Sequence, residues 1–237
     1  MQIIQSGWNR LCTIGGIAAM VLIVYSIITM LLLLIISGQP ATIEECYNLL
    51  QNNRFIGLLR LDLLTVLIMP FYYLLFLGIW VALRKTHVAY TTLATLLAFI
   101  GITLFLATPS VFPLISLSDK YAVATTVAQK DQLIAVGEAL LASDMWHNTG
   151  AMIGGILMLI ATLIISIVML FSGIFGKTTA VVGILTHGLD LIHIIVGTFS
   201  PQAGVIIMVI AGPLYLVWFP LLGRDLFRLG RLDSNES

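Results

Sequence analysis

Charge is what this chain has least of. Of its 237 residues only 9% are Asp, Glu, Lys or Arg, against 59% hydrophobic residues and a mean hydropathy of +1.08. Soluble domains carry about 25% charged residues, so water is excluded as the main solvent. The few charges sum to a net of +0, which removes the basic footprint of a nucleic-acid binder. Cysteine is scarce as well. Cys12 and Cys46 flank the first apolar run on opposite sides, where they cannot bridge each other, and no Cys/His cluster points to an iron–sulfur, haem or zinc module. A P-loop, a dinucleotide fingerprint, a Ser/His/Asp elbow and HExxH are all missing. The nine methionines are scattered, without the clustering of a copper path. No polar stretch is long enough for a sizeable soluble domain.

What is present is apolar length. Six runs, about 14–36, 61–83, 88–108, 147–171, 178–199 and 203–222, each have the roughly 20 residues that cross a hydrocarbon core of about 30 Å as a helix. The sequence therefore predicts an all-α, polytopic membrane protein, one domain over 1–237 with the lipid bilayer as its first partner. The first run is far longer than the roughly 7–15 residues of a signal-peptide core, so it is expected to stay as a span. One side of the predicted topology collects Arg10, Arg84, Lys85, Lys177, Arg224, Arg228 and Arg231. The other collects Arg54, Arg60, Lys120 and Lys130 beside most of the acids. The positive-inside rule then places both termini in the cytoplasm of a multi-pass protein of the cell membrane.

Two longer connections, 41–60 and 117–143, read as outer caps built of short amphipathic helices. Thr42 and Glu45 have capping-box spacing, and Ile43, Cys46, Tyr47 and Leu50 fall on one helical face. In the second, Leu133, Val136, Leu140 and Leu141 form a stripe, with Lys130, Asp131 and Glu138 elsewhere. Neither carries the rows of Lys and Arg that anionic lipid would attract, so both are expected to cap the bundle. Gly150 with Gly154, and Gly15 with Ala19, have the small-xxx-small spacing that lets helix backbones approach. Pro70, Pro213 and Pro220 lie within apolar spans and are expected to kink them.

Leu61-Asp62-Leu63-Leu64 opening the second span, then "LSDKYAVATTVAQKDQLIAVGEALLA" (117–142) ahead of a Gly-rich fourth span, resemble a widespread family of bacterial six-span membrane proteins of unknown function. The resemblance covers roughly residues 40–222. It implies six spans, a helical outer loop before the fourth and a place in the bacterial inner membrane, and it brings no catalytic residues with it.

The candidate site is "THGLDLIHIIVG", residues 186–197, where His187, Asp190 and His193 interrupt an apolar helix. Each step of three residues turns a helix by about 300°, so the triplet shares an arc of about 120°. A mid-membrane aspartate facing lipid costs about 2.5–3.5 kcal/mol on insertion scales, and such residues normally turn inward. Four readings stay open. The first is a structural network in which Asp190 accepts hydrogen bonds from His187 or His193. The second is a proton or solute path. The third is a metal site for intramembrane hydrolysis, which strains geometry because His187 and His193 lie about 9 Å apart along the axis. The fourth is a contact with a pigment, quinone or haem made by one histidine.

An outer pocket walled by spans two, four and five is also expected, with Arg60, Asp62, Thr65, His147 and Asn148 at its mouth and Glu138 and Asp144 at its rim. Each has a plainer role open to it: Arg60 and Asp62 as a helix end at the headgroups, His147 as an interfacial neighbour of Trp146. Tyr72, Tyr73, Trp80, Tyr215 and Trp218 read as aromatic belts and packing. The expectation is a non-enzymatic membrane protein that serves as an accessory to other membrane subunits or as a homo-oligomer. A small solute or proton-coupled transporter using the pocket around Asp190 is the alternative, and an intramembrane metal-dependent hydrolase comes third. The sequence names no cofactor.

Overall fold

The computed structural model describes residues 2–36, 40, 42–61, 63–108, 111–143 and 148–231. Ten helices follow in order: α1 Gln2–Ile36, α2 Ile43–Asn52, α3 Arg54–Arg60, α4 Leu63–Leu83, α5 Val88–Leu106, α6 Val111–Val123, α7 Val127–Leu141, α8 Thr149–Ser172, α9 Lys177–Phe199 and α10 Pro201–Arg231. Six of them, α1, α4, α5, α8, α9 and α10, are long and apolar enough to cross a membrane, and the chain is a multi-pass membrane protein. The structure matches the six expected spans to within a few residues, except that α1 starts earlier than expected. The last helix also does not stop near 222; it runs on to Arg231 and carries a charged turn with it.

The six long helices form a closed ring in the order α1–α4–α5–α8–α9–α10, with α10 returning to α1 and α4 also touching α8 and α10 across the middle. Lipid tails are as apolar as leucine, so hydrophobicity alone does not hold such helices together; close backbone approach does. Glycine provides it at three interfaces. A Cβ on Gly15 would lie 3.0 Å from Gly78 Cα, one on Gly101 would lie 2.5 Å from the Gly154 carbonyl, and one on Gly204 would lie 2.6 Å from Gly197 Cα. Of the glycines picked out by spacing, Gly154 and Gly15 make such contacts and Gly150 does not. Pro70, Pro213 and Pro220 lie inside continuous helices. The tight turn from α8 to α9 is permitted by Gly173, the left-handed residue (φ 68°) that ends α8.

Leu22, Leu75, Phe76, Ile79, Leu83, Ile165, Met169, Trp218, Phe219 and Leu222 are buried in one cluster, which Ile68, Met69, Ile102, Phe105 and Ala151 continue toward the cap on α4, α5 and α8. On α1, α9 and α10 the packing thins toward the cap. Among the described residues, the last buried side chain on α1 is Leu22 and on α9 is His187, and before Trp218 only the small Gly204 and Ala211 are buried on α10.

On the opposite face, α2, α3, α6 and α7 build a separate helical cap around Ile43, Cys46, Tyr47, Leu50, Leu61 and Leu114. The stripe expected on α2 is thus the face that is buried. The cap holds itself together by polar contacts: Tyr47 Oη donates to the Leu133 carbonyl at 2.8 Å, Ser118 Oγ to the Tyr47 carbonyl at 3.1 Å, and Arg54 pairs with Asp119. Two expectations for this region need correction. The second cap element begins at Val111, not 117, because Val111–Val123 forms its own helix. Val136 is half exposed, and the contact point of α7 is Gly137, whose bare Cα lets Ile43 and Tyr47 approach. At the N-terminus of α2 Thr42 caps as its spacing indicates, Oγ1 accepting from Glu45 N–H at 3.2 Å, and Thr126 with Gln129 forms a complete capping box on α7.

Candidate functional site

His187, Asp190 and His193 do share one side of α9, but they do not bond to one another. His187 Nδ1 lies 2.7 Å from the Gly183 carbonyl one turn back, and His193 Nδ1 lies 2.9 Å from the Gly204 carbonyl on α10. A carbonyl oxygen only accepts, so in each ring Nδ1 carries the hydrogen; the neutral imidazole then keeps a bare lone pair at Nε2. Asp190 Oδ2 instead accepts from the hydroxyl of Tyr215 at 2.6 Å, at the short end of O–H···O distances. This corrects two expectations: the histidines are not the donors to Asp190, and Tyr215 is its partner and not a member of an aromatic belt.

The geometry follows from how α9 and α10 pack. They are joined by a one-residue turn at Ser200 and pressed together at Gly197 and Gly204, which brings the middle of α10 alongside Asp190. At 1.5 Å per residue Asp190 stands about 20 Å from Lys177 and about 13 Å from Phe199, deep within the apolar slab. Tyr215 also contacts the ring of His187 edge-on, with centroids 5.3 Å apart, and lies 5.7 Å from Phe219. Phe219 meets Tyr72 of α4 edge-on at 6.4 Å. Tyr72 and His193 are both near enough to Asp190 for its charge to act on them, and Tyr25 of α1 is near enough to act on Tyr72. The Tyr25 and Thr65 hydroxyls, on α1 and α4, are 3.0 Å apart. Asp190, His193, Tyr215, Tyr72 and Tyr25 are each half-buried.

The walls therefore differ from those expected. Span six supplies Tyr215 and span two Tyr72, while span four, α8, packs directly against α9 as its neighbour in the ring. Asn148 is occupied elsewhere: its side chain accepts from Gly150 N–H at 2.8 Å and so caps α8. Glu138 is exposed on α7, and Arg60 is half-buried in the last turn of α3. Asp62, Asp144, Trp146 and His147 lie outside the described residues. Among the described residues no group of three or more His, Cys, Asp or Glu is close enough to hold a metal ion.

One charged residue escaped sequence reasoning. Asp225 is fully buried near the terminal face, where Oδ2 accepts from Gly176 N–H at 3.0 Å and from Thr179 Oγ1 at 2.6 Å, while Arg224 and Arg228 approach Oδ1 at 3.2 and 3.9 Å. It stitches the start of α9 to α10. It lies beyond the last apolar run, and the signal was the helical continuation "GRDLFR", which keeps Asp225 and Leu226 on the buried face. Deeper in the ring, His187 also packs edge-on against Trp218, centroids 4.4 Å apart. Ser166 Oγ and Trp218 Nε1 are buried there without a hydrogen-bond partner among the described residues.

Comparison with protein-family models, with curated proteins and with solved structures finds no match to this chain.

Proposed function

We propose that this protein is a small permease whose solute or coupling-ion site is Asp190 with Tyr215. One observation carries the reading. An intramembrane carboxylate is held by a single neutral donor, on the side of the ring where the packing of α9 and α10 thins, with Tyr72 of α4 within reach of its charge. Carboxylates kept at such cost within a membrane are typical of ion and proton pathways. The tightly packed terminal half of α9 and α10 is the closed end of this arrangement, and their cap-side half is its entry. The Lys and Arg bias supports terminal-face residues in the cytoplasm and the cap outside. The likeness to a bacterial six-span family supports a bacterial inner membrane. On this reading the protein is not an enzyme.

The test is flux in proteoliposomes, read with a trapped pH dye and with radiolabelled solute pools. Wild-type protein moves protons or solute, and Asp190→Asn stops the movement while the protein still inserts and melts cooperatively. Equal flux from both proteins defeats the proposal.

A second reading, an accessory subunit or homo-oligomer, rests on α9 and α10. Only 22% of the residues in their most apolar stretches are buried, against 44% in α4 and α8. Helices so little covered are where a further membrane subunit would pack. Native mass spectrometry of gently extracted protein decides this, through co-purifying chains.

A further inference from the structure

We infer that Arg84, held by Trp8 and Trp80, forms a binding site for the phosphate head group of an anionic phospholipid at the terminal face of the ring. This does not rest on the permease reading. Arg84 directly follows the last residue of α4. Its guanidinium carbon lies 4.2 Å from the centre of the Trp8 ring on α1 and 5.4 Å from that of Trp80 on α4. Both distances fall within the roughly 6 Å over which a ring face attracts a cation. The two indoles are 5.9 Å apart and tilted by 55°, so they make a corner around the guanidinium. Trp80 is itself pinned, its Nε1 donating to Thr92 Oγ1 of α5 at 3.1 Å. Three helices thus fix the position of one cation.

What this cation lacks is an anion. A guanidinium carries five N–H donors, and among the described residues that of Arg84 makes no hydrogen bond and no ion pair. The helices around it bring no carboxylate: there is no Asp or Glu before Glu44 and none from Leu63 to Ser118. Asp225, the acid described on the same face, is on α10 and is taken by Gly176, Thr179 and Arg224. Lys85 is exposed and adds a second positive charge, and α5 opens at Val88 without a side-chain cap on its first turn. Both favour a negative group close by.

Depth selects the anion. Trp8 and Arg84 lie just outside the apolar stretches Arg10–Leu32 and Leu63–Leu83, the level of the lipid head groups, where tryptophan concentrates. Lipid phosphate is the anion always present there, and it matches the two-point fork of a guanidinium. A choline head group would bring its own cation to a place that already holds two, which favours a lipid of net negative charge.

The experiment is native mass spectrometry of the full-length protein released from micelles and titrated with phosphatidylglycerol or with phosphatidylcholine of the same acyl chains. Phosphatidylglycerol is expected to bind about tenfold more tightly, the effect of one charge-assisted hydrogen bond. Arg84→Gln removes this preference. Arg84→Lys keeps the charge without the fork, loses most of the preference, and serves where Arg84→Gln does not fold. Lys177→Gln takes a positive charge from the same face at α9, away from the two indoles, and leaves the preference intact. Equal losses from Arg84→Gln and Lys177→Gln would mean diffuse surface charge and overturn the site. Full preference in Arg84→Lys, or phosphatidylcholine binding as tightly as phosphatidylglycerol, overturns it too. Displacement of phosphatidylglycerol by millimolar inorganic phosphate would make free phosphate the ligand and overturn the lipid assignment.

Discussion

Asp225 allows the sharpest calculation. Two donors, Gly176 N–H and Thr179 Oγ–H, converge on the same oxygen, Oδ2, and the group is fully buried. Asp225→Ala leaves both donors facing a cavity. Each unsatisfied buried donor costs about 1–3 kcal/mol, so the loss is about 2–4 kcal/mol once partial relaxation is allowed. Arg224 and Arg228 are 65% and 54% exposed, so their share of the charge interaction is screened to a few tenths up to about 1 kcal/mol. Asp225→Asn behaves differently. A single amide oxygen placed at Oδ2 has two lone pairs and can accept from both donors, while its NH2 turns toward the exposed guanidinium groups. That variant is expected to lose only about 1 kcal/mol, the screened ion pairs. Thr179→Val removes one of the two donors together with its bond and is expected to fall between them. Reversible unfolding in detergent micelles, followed by circular dichroism against denaturant, measures all three. Equal losses for Asn and Ala refute the two-donor reasoning, and a loss below about 1 kcal/mol for Ala refutes the burial on which it stands.

Other expectations follow from the same structure. Gly101→Ala places a Cβ 2.5 Å from the Gly154 carbonyl, a backbone atom that cannot swing away; the resulting separation of α5 and α8 is expected to cost about 1–3 kcal/mol, read as a lower melting temperature. Gly150→Ala, whose nearest neighbour is the Asn148 side chain at 3.2 Å, is the matched control and is expected to cost far less. In the cap, burial and then the neighbouring Cys46, Tyr121 and Glu44 push the Tyr47 phenol up from 10.0 to about 12. A group whose folded pKa is raised contributes stability that is whole below the unfolded value and lost as pH climbs toward the folded one. The cap should therefore weaken between pH 10 and about pH 12. In Tyr47→Phe that dependence flattens, and amide exchange in α2 and α7 is the readout. Tyr215→Phe takes the only described donor from Asp190 and is expected to destabilise the protein by about 1–2 kcal/mol.

The membrane class, the number of spans and the presence of two helical caps were legible because each depends on one-dimensional quantities. Twenty apolar residues suffice to cross the slab whatever they touch, and α2 shows its buried face in the spacing of Ile43, Cys46, Tyr47 and Leu50 alone. Asp190 stood out for the same reason, since an acid costs energy at mid-membrane in any fold. Partnership was not legible. That Asp190 meets Tyr215 depends on how far α10 slides along α9, which Gly197 and Gly204 set by permitting contact there, and nothing in the spacing of 190 and 215 encodes it. Asp225 was hidden by the same limit: a carboxylate beyond an apolar run looks solvated until the helix is seen to continue and two donors from α9 are seen to meet it. Composition determined the solvent and the elements, because transfer free energy is additive along a chain. The ring order decided the chemistry, because a hydrogen bond exists only where packing brings donor and acceptor to within about 3 Å.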